Sequence, residues 1–214
     1  MKENIEVFTQ NSIRILTPAG KVYIDPFRMK EEPKDADFIL ITHDHYDHFS
    51  PEDIAKVCKA GTVLIVPEKM QKKAGEVADL VGRIETVRPN ETYEIDGLSF
   101  ETVAAYNIIK PFHPKSAGWV GYIVIADGQR IYIAGDTDAT NESRAVRCDI
   151  ALVPVGGTYT MDAKKAAQLV NEIRPALAIP VHYGEVVGDF SDGETFAKLV
   201  TEPVQTEIRI RGNR

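Results

Sequence analysis

An α+β fold, with two β-sheets packed face to face and helices outside, is what the pattern of this 214-residue sequence predicts. Three observations carry it. Short apolar runs joined by tight turns fill the first half of the chain. A clear hairpin pattern lies past the middle, Trp119 to Ala126, Asp127-Gly128, then Arg130 to Ala134. From Asp149 onward, strand-like and helix-like segments alternate. No linker, low-complexity stretch or short repeat interrupts the pattern, so residues 1–214 read as one domain.

The elements follow in order. Ile5 to Phe8 and Ile13 to Thr17 read as strands, and Lys21 to Asp25 follows the turn Pro18-Ala19-Gly20. Asp37 to Ile41 is a buried strand by its apolar run. Ser50-Pro51-Glu52-Asp53 starts a helix: Ser50 caps, Pro51 suits the first helical position, and the acids favour the positive end of the dipole. That helix is expected to reach about Lys59 and stop at Gly61. Thr62 to Val66 is a strand, and Pro67-Glu68 opens a second helix to about Val81. Ile84 to Val87, Thr92 to Ile95 and Leu98 to Ala105 are strands, with Asp96-Gly97 as a hairpin turn. After the central hairpin come strand Asp149 to Val155, helix Asp162 to Ile173, strand Ala176 to Val181, helix Asp192 to Val200 and strand Thr206 to Ile210.

Hydrophobic residues make up 43% of the chain and charged residues 27%, an ordinary globular balance. The net charge of −7 disfavours nonspecific nucleic-acid binding, which normally needs a basic stripe. Cys58 and Cys148 stand in no metal or redox spacing and read as small buried hydrophobes. No run approaches the ~20 apolar residues of a membrane span, and Met1 to Asn4 lead directly into a strand pattern with no apolar leader. The expectation is a soluble cytoplasmic protein without a membrane partner. Edge strands leave room for pairing into a homo-oligomer.

Three of the five histidines fall within six residues, in Ile41-Thr42-His43-Asp44-His45-Tyr46-Asp47-His48. His43 and His45 stand two apart at a strand end and can point the same way. Asp47 and His48, on the following turn, can face a second point a few Å away. Neutral imidazole and ionised carboxylate are the usual ligands of zinc, iron and manganese. Two further residues sit where strands end: Asp136 after Gly135, and His182 after Val181. A sheet gathers such strand ends onto one edge.

The spacing His43-x-His45-x-Asp47-His48, then Gly135-Asp136-Thr137, then Pro180-Val181-His182-Tyr183-Gly184, resembles the metallo-β-lactamase superfamily. Asp25 in Tyr23-Ile24-Asp25-Pro26-Phe27 matches that superfamily's early strand-end aspartate. The chain length and Val155-Gly156-Gly157-Thr158-Tyr159-Thr160-Met161 look most like the branch containing the ascorbate-6-phosphate lactonase and small metal-dependent hydrolases. The resemblance implies a four-layer αβ/βα sandwich with two divalent metal ions at the sheet edges, zinc first, with manganese, iron or nickel as alternatives. It assigns His43 and His45 to the first metal, Asp47, His48 and His182 to the second, and Asp136 as the bridge. Asp25 is expected to stand behind the ligands and fix their geometry.

One ligand is missing from the pattern. The family's third first-metal histidine belongs near Val103-Ala104-Ala105-Tyr106-Asn107, where this chain has none, and the next histidine is His113. Three readings stand open: His113 loops back and ligates, Asn107 ligates through its carbonyl oxygen, or the first site is under-coordinated. His113 has a second available role as proton donor to a leaving group. The chemistry expected is hydrolysis of a small-molecule ester, lactone or amide, phosphorylated or not, by a metal-bound hydroxide that Asp47 orients. Gly156, Gly157, Thr158 and Tyr159 are the expected substrate loop, their backbone N–H groups and the following helix start facing a phosphate or carboxylate. Phosphodiester or nucleic-acid cleavage is the alternative reaction, and a non-catalytic metal-binding partner protein is a further one.

Overall fold

The structure, a computed structural model, describes residues 2–210. One sheet is built in chain order from β1 (Ile5–Val7), β2 (Ile13–Thr17), β3 (Gly20–Ile24), β4 (Ala36–Leu40), β5 (Cys58–Pro67) and β6 (Arg83–Val87). The first three strands are antiparallel, and β3 to β6 run parallel. Two helices serve the parallel crossovers: α1 (Pro51–Val57) and the short α2 (Gln71–Ala74).

The other sheet repeats the scheme. It runs from β7 (Thr92–Ile95) through β8 (Leu98–Ala104), β9 (Val120–Ala126), β10 (Gln129–Ile133), β11 (Ile150–Pro154) and β12 (Leu177–Val181) to β13 (Gln205–Thr206). Strands β7 to β10 are antiparallel and β10 to β13 parallel. The parallel crossovers carry α3 (Asn141–Ala145), α4 (Ala163–Ile173) and α5 (Ser191–Leu199). The change from hairpins to crossovers therefore happens twice, once in each sheet, and not once at mid-chain.

Three apolar layers separate four layers of secondary structure. Ile13, Ile15, Ile24, Leu40 and Ile65 of the first sheet meet Phe100, Tyr122, Ile133 and Leu152 of the second in a shared core. The outer face of the first sheet, with Ile39 and Leu64, packs on Ile54 and Val57 of α1 and on Met70 and Ala74. The outer face of the second, with Tyr132, Ala151 and Val153, packs on Leu169, Val170 and Ile173 of α4 and on Phe196 of α5. All five residues of β11 and of β12 are buried, as expected of parallel strands covered on both faces. This is the αβ/βα sandwich.

Some boundaries differ from the sequence expectation. Ser50 does cap α1, accepting from Asp53 N–H, but the helix ends at Val57, because Cys58 pairs with Ala36 and starts β5. The helix expected from Pro67 to Val81 is three tight pieces, a 3-10 turn at Glu68–Met70, α2, and a 3-10 turn at Gly75–Leu80. Gly75 stands where α2 stops, and glycine is a poor residue for a helix interior. The last strand is only Gln205–Thr206, shifted from the expected Thr206 to Ile210. Helix α3, five residues long, had no apolar periodicity to reveal it.

Candidate metal centre

The parallel strands of both sheets deliver their carboxyl ends to one edge, the usual place for a site in such sheets. Asp25 follows β3, Thr42 and His43 follow β4, Asp136 follows β10, and His182 follows β12. The β8–β9 connection adds His113, and the turn after β1 adds Gln10 and Asn11. Several of these residues hold a left-handed backbone: φ is 44° at Asp25, 47° at Gln10 and 58° at His182. Residues other than glycine, asparagine, aspartate and histidine rarely accept that conformation, so Gln10, beside His182, is held by its surroundings. One such restraint joins them, with His182 N–H donating to Gln10 O at 2.8 Å.

The side chains form two groups within ligand distance. His43, His45, His113 and Asp136 make one, and Asp47, His48 and His182 make the other. Asp136 joins them. Its Oδ2 lies 3.3 Å from His113 Nε2 and 3.8 Å from His43 Nε2, while its Oδ1 lies 3.4 Å from His48 Nε2 and 3.2 Å from His182 Nε2. His43 Nε2 and His45 Nδ1 are 3.1 Å apart. In the second group His48 Nε2 and His182 Nε2 are 3.2 Å apart, and Asp47 Oδ2 is 3.6 and 3.4 Å from them.

These spacings bear on metal fit. Donors placed tetrahedrally about 2.0–2.1 Å from a common centre are about 3.3–3.4 Å from one another. Five donor–donor distances among Asp47, His48, His182 and Asp136 Oδ1 run from 3.2 to 3.6 Å and bracket that value. Asp136 Oδ1 and His113 Nε2 are buried and have no hydrogen-bond partner. Buried polar atoms left so are costly, and a cation shared by these donors would satisfy them. The donors of the second group fit a divalent ion, and those of the first lie within 4.8 Å of one another, close enough to share one.

The atoms behind the two groups fix which nitrogen faces inward. Asp25, fully buried, accepts from Asn11 Nδ2 at 2.7 Å, Thr42 N at 2.8 Å, Thr42 Oγ1 at 2.6 Å and His48 Nδ1 at 2.7 Å. Since the Thr42 hydroxyl proton goes to Asp25, Thr42 Oγ1 is left to accept from His43 Nδ1–H at 3.0 Å. Asn107 donates from Nδ2 to Tyr159 O at 2.8 Å and accepts from His113 Nδ1–H at 3.0 Å. His43, His48 and His113 therefore all turn Nε2 to the centre. Partners of this kind orient ligating imidazoles in metal sites generally. His182 is the exception, with Nδ1 buried and unpartnered.

Burial and neighbouring charge set the ionisation of these groups. Burial pushes His43 well below its ordinary value, with His48 adding to it, and burial followed by His113 lowers His45. Burial alone would raise Asp47, but hydrogen bonding from His182 and the charge of His48 bring it down to about 2. Burial opposes ionisation of Asp136 too, and His182 and His48 outweigh it, holding that carboxyl well below the usual range. His48 is pushed up, to about 9, because Asp136 and Asp25 overcome its desolvation.

Every residue expected as a ligand lies in one of the two groups, and His113 lies in the first. Asn107 stands one step back, its carbonyl oxygen accepting from His113 Nδ1–H. The expected substrate loop has part of its hydrogen-bonding capacity in use within the fold. Gly157 N–H bonds to Met161 O at 3.0 Å, and the Asp162 carboxylate already caps α4 by accepting from Lys165 N–H. Gly156 instead serves packing, since a Cβ there would meet His182 O at 2.4 Å. Thr158 is exposed and left-handed at φ 36°, and Tyr159 is exposed at the rim. Trp119, at the start of the expected hairpin, lies against the first group, its ring 5.1 Å from His43 and His45 and 5.5 Å from His113. Asn11, Thr42 and Gln10, whose Nε2 donates to Asp47 Oδ2 at 3.3 Å, carried no sequence signal of this role.

Residues 4–182 match the model of the β-lactamase superfamily domain. The chain belongs to this superfamily. Among its relatives, a metal-dependent hydrolase from Pyrococcus abyssi is 32% identical over 202 residues, 88% of each chain. Another from Thermoplasma acidophilum is 34% identical over 195 residues, 83% of this chain and 82% of that one. A solved structure of a candidate metal-dependent hydrolase from Parabacteroides distasonis is 30% identical, with TM-score 0.81 over 97% of this chain and 93% of its own. That kinship makes the chain a metal-dependent hydrolase of the β-lactamase superfamily.

Proposed function

We propose that this hydrolase binds two divalent metal ions, zinc foremost, and cleaves a small-molecule carboxylic ester, lactone or amide. The first ion would be held by His43, His45, His113 and Asp136 Oδ2, and the second by Asp47, His48, His182 and Asp136 Oδ1. The observation that carries this reading is Asp136, which turns one oxygen into each group. Bound there, the ions would bring the pKa of a water toward ~7 and polarise the carbonyl under attack.

The chain's own residues do the rest. Asp47, ionised down to about pH 2, is available to accept and orient a proton of the attacking water. Asp25, Thr42 and Asn107 hold the imidazoles so that their Nε2 lone pairs converge. The His113 geometry supports ligation over proton donation, since Nδ1–H is already given to Asn107 and Nε2 faces Asp136. Cys58 and Cys148 are both free thiols, which suits a reducing compartment and supports a cytoplasmic setting.

The test is turnover by zinc- and manganese-loaded protein on p-nitrophenyl acetate, a γ-lactone and bis(p-nitrophenyl) phosphate. Hydrolysis of the ester or lactone, lost in Asp136→Ala, is expected. Cleavage of the phosphodiester alone would overturn the carboxylic-ester reading.

A further inference from the structure

Nine large apolar side chains are conspicuously exposed among the described residues. Five of them, Tyr46, Ile108, Ile109, Phe112 and Tyr159, lie on the loops that build the metal centre. Tyr46 sits between His45 and Asp47, and the next three sit between Asn107 and His113. Tyr159 gives its carbonyl to Asn107. Ile109 is 92% exposed, and Phe112 meets Tyr159 edge to face with centroids 4.7 Å apart. This rim is held in place: Ile108 N–H donates to Asp138 Oδ2 at 2.9 Å, and Lys110 Nζ donates to Thr160 O. Apolar side chains gathered and fixed at the mouth of a polar centre mark a ligand surface.

Charge narrows what that ligand is. The segments 43–49, 105–119 and 155–161 contain only two cations, Lys110 and Lys115. Lys110 stands 3.5 Å from Asp138 Oδ1, and Lys115 stands 2.6 Å from Glu142 Oε1. Of the backbone donors expected after β11, Gly157 N–H is given to Met161 O, and the α4 start is capped by the Asp162 carboxylate, itself an anion. A phosphate or carboxylate on the substrate would find no uncommitted cation on these segments, and Lys69 and Lys73, which reach them, already donate to Ser116 O and Asp44 O. We infer that the substrate is a neutral ester or lactone whose apolar acyl or aryl group lies against Ile109, Phe112 and Tyr159. The inference rests on the hydrolase reading above and names its substrate class.

Two measurements on the metal-loaded protein test it. The first compares kcat/KM for p-nitrophenyl acetate, butyrate and hexanoate, with p-nitrophenyl hemisuccinate as the anionic control. Half-burial of each added methylene gives about a fourfold gain for every two, carried by KM. That gradient should flatten in Phe112→Ser and Ile109→Ser, and the hemisuccinate should be the poorest substrate for its length. The second measures binding of neutral alkyl phenyl ketones of the same lengths through the fluorescence of Trp119, the one tryptophan in the chain, which sits against the first group. Affinity should rise with length and fall in Phe112→Ser. Ester turnover with no length dependence, or a preference for the hemisuccinate, overturns the inference and leaves the hydrolase reading standing. Length-dependent ketone binding without ester turnover supports the apolar ligand and removes the ester reaction. Ketone affinity independent of length overturns the inference whatever the turnover.

Discussion

His48 is bonded through Nδ1 to Asp25, and its Nε2 lies 3.4 Å from Asp136 and 3.6 Å from Asp47. In metal-free protein a proton on this ring offsets three carboxylates, and this makes stability depend on pH in a definite way. Its folded value of about 9 lies above the ordinary 6.5, so its contribution is complete below pH 6.5 and is lost as pH rises through 9. His43 and His45 shift the other way, so the unfolded chain gains protons there as pH falls below 6.5 and stability drops. The metal-free protein should therefore melt highest near pH 6.5 and progressively lower toward pH 9, and added zinc should abolish the alkaline decline. Thermal melts across that range check it, and a flat metal-free profile from pH 6.5 to 9 would contradict it. The titrating residues behind this behaviour were legible in sequence because histidine and aspartate cluster or follow strand ends. Asn11, Thr42, Gln10 and Trp119 were not. Their roles come from contacts made across the fold, such as the 37-residue separation between Gln10 and Asp47, and ordinary polar or aromatic residues carry no local mark of that.

At the level of elements, the site depends on how closely the ends of β11 and β12 approach. Gly156 follows β11 and lies so near the backbone of His182 that a methyl group would sit 2.4 Å from His182 O and 2.9 Å from Val187 Cγ2. Gly156→Ala must push the His182 turn outward. The cost expected is about 1–3 kcal/mol of stability, the usual range for overpacking, together with weaker binding of the second metal. Urea melts with and without zinc measure both, and a wild-type midpoint in each would contradict the account. The glycine pair was visible in sequence as a sharp turn, yet the same turn suits phosphate binding or tight packing equally well. Only the position of His182 decides between them. Strands with strong apolar runs, such as β9 and β10, were legible to within a residue. The 67–81 segment was not, because Met70, Ala74 and Val77 have helical spacing while the chain around Gly75 winds more tightly in 3-10 turns.

At the level of the molecule, two sheets each pass from antiparallel hairpins to parallel crossovers and bring their parallel ends together. Each sheet supplies metal-facing side chains to both groups, with His43, His45, Asp47 and His48 from one and Asp136, His113 and His182 from the other. Binding two ions should then tie the sheets together across their shared edge. The fold class was readable from strand and helix order, whereas the doubled scheme was not, because the β4–β5 crossover also carries the histidine cluster and only a seven-residue helix. The central claim is that one chain holds two ions, with His113 completing the first group. The most direct test is metal content per chain, by elemental analysis of protein purified without chelator or affinity-column metal and then equilibrated with zinc. The account predicts two equivalents in the wild type and one in His113→Ala. A single equivalent in the wild type, or two retained in His113→Ala, would contradict it.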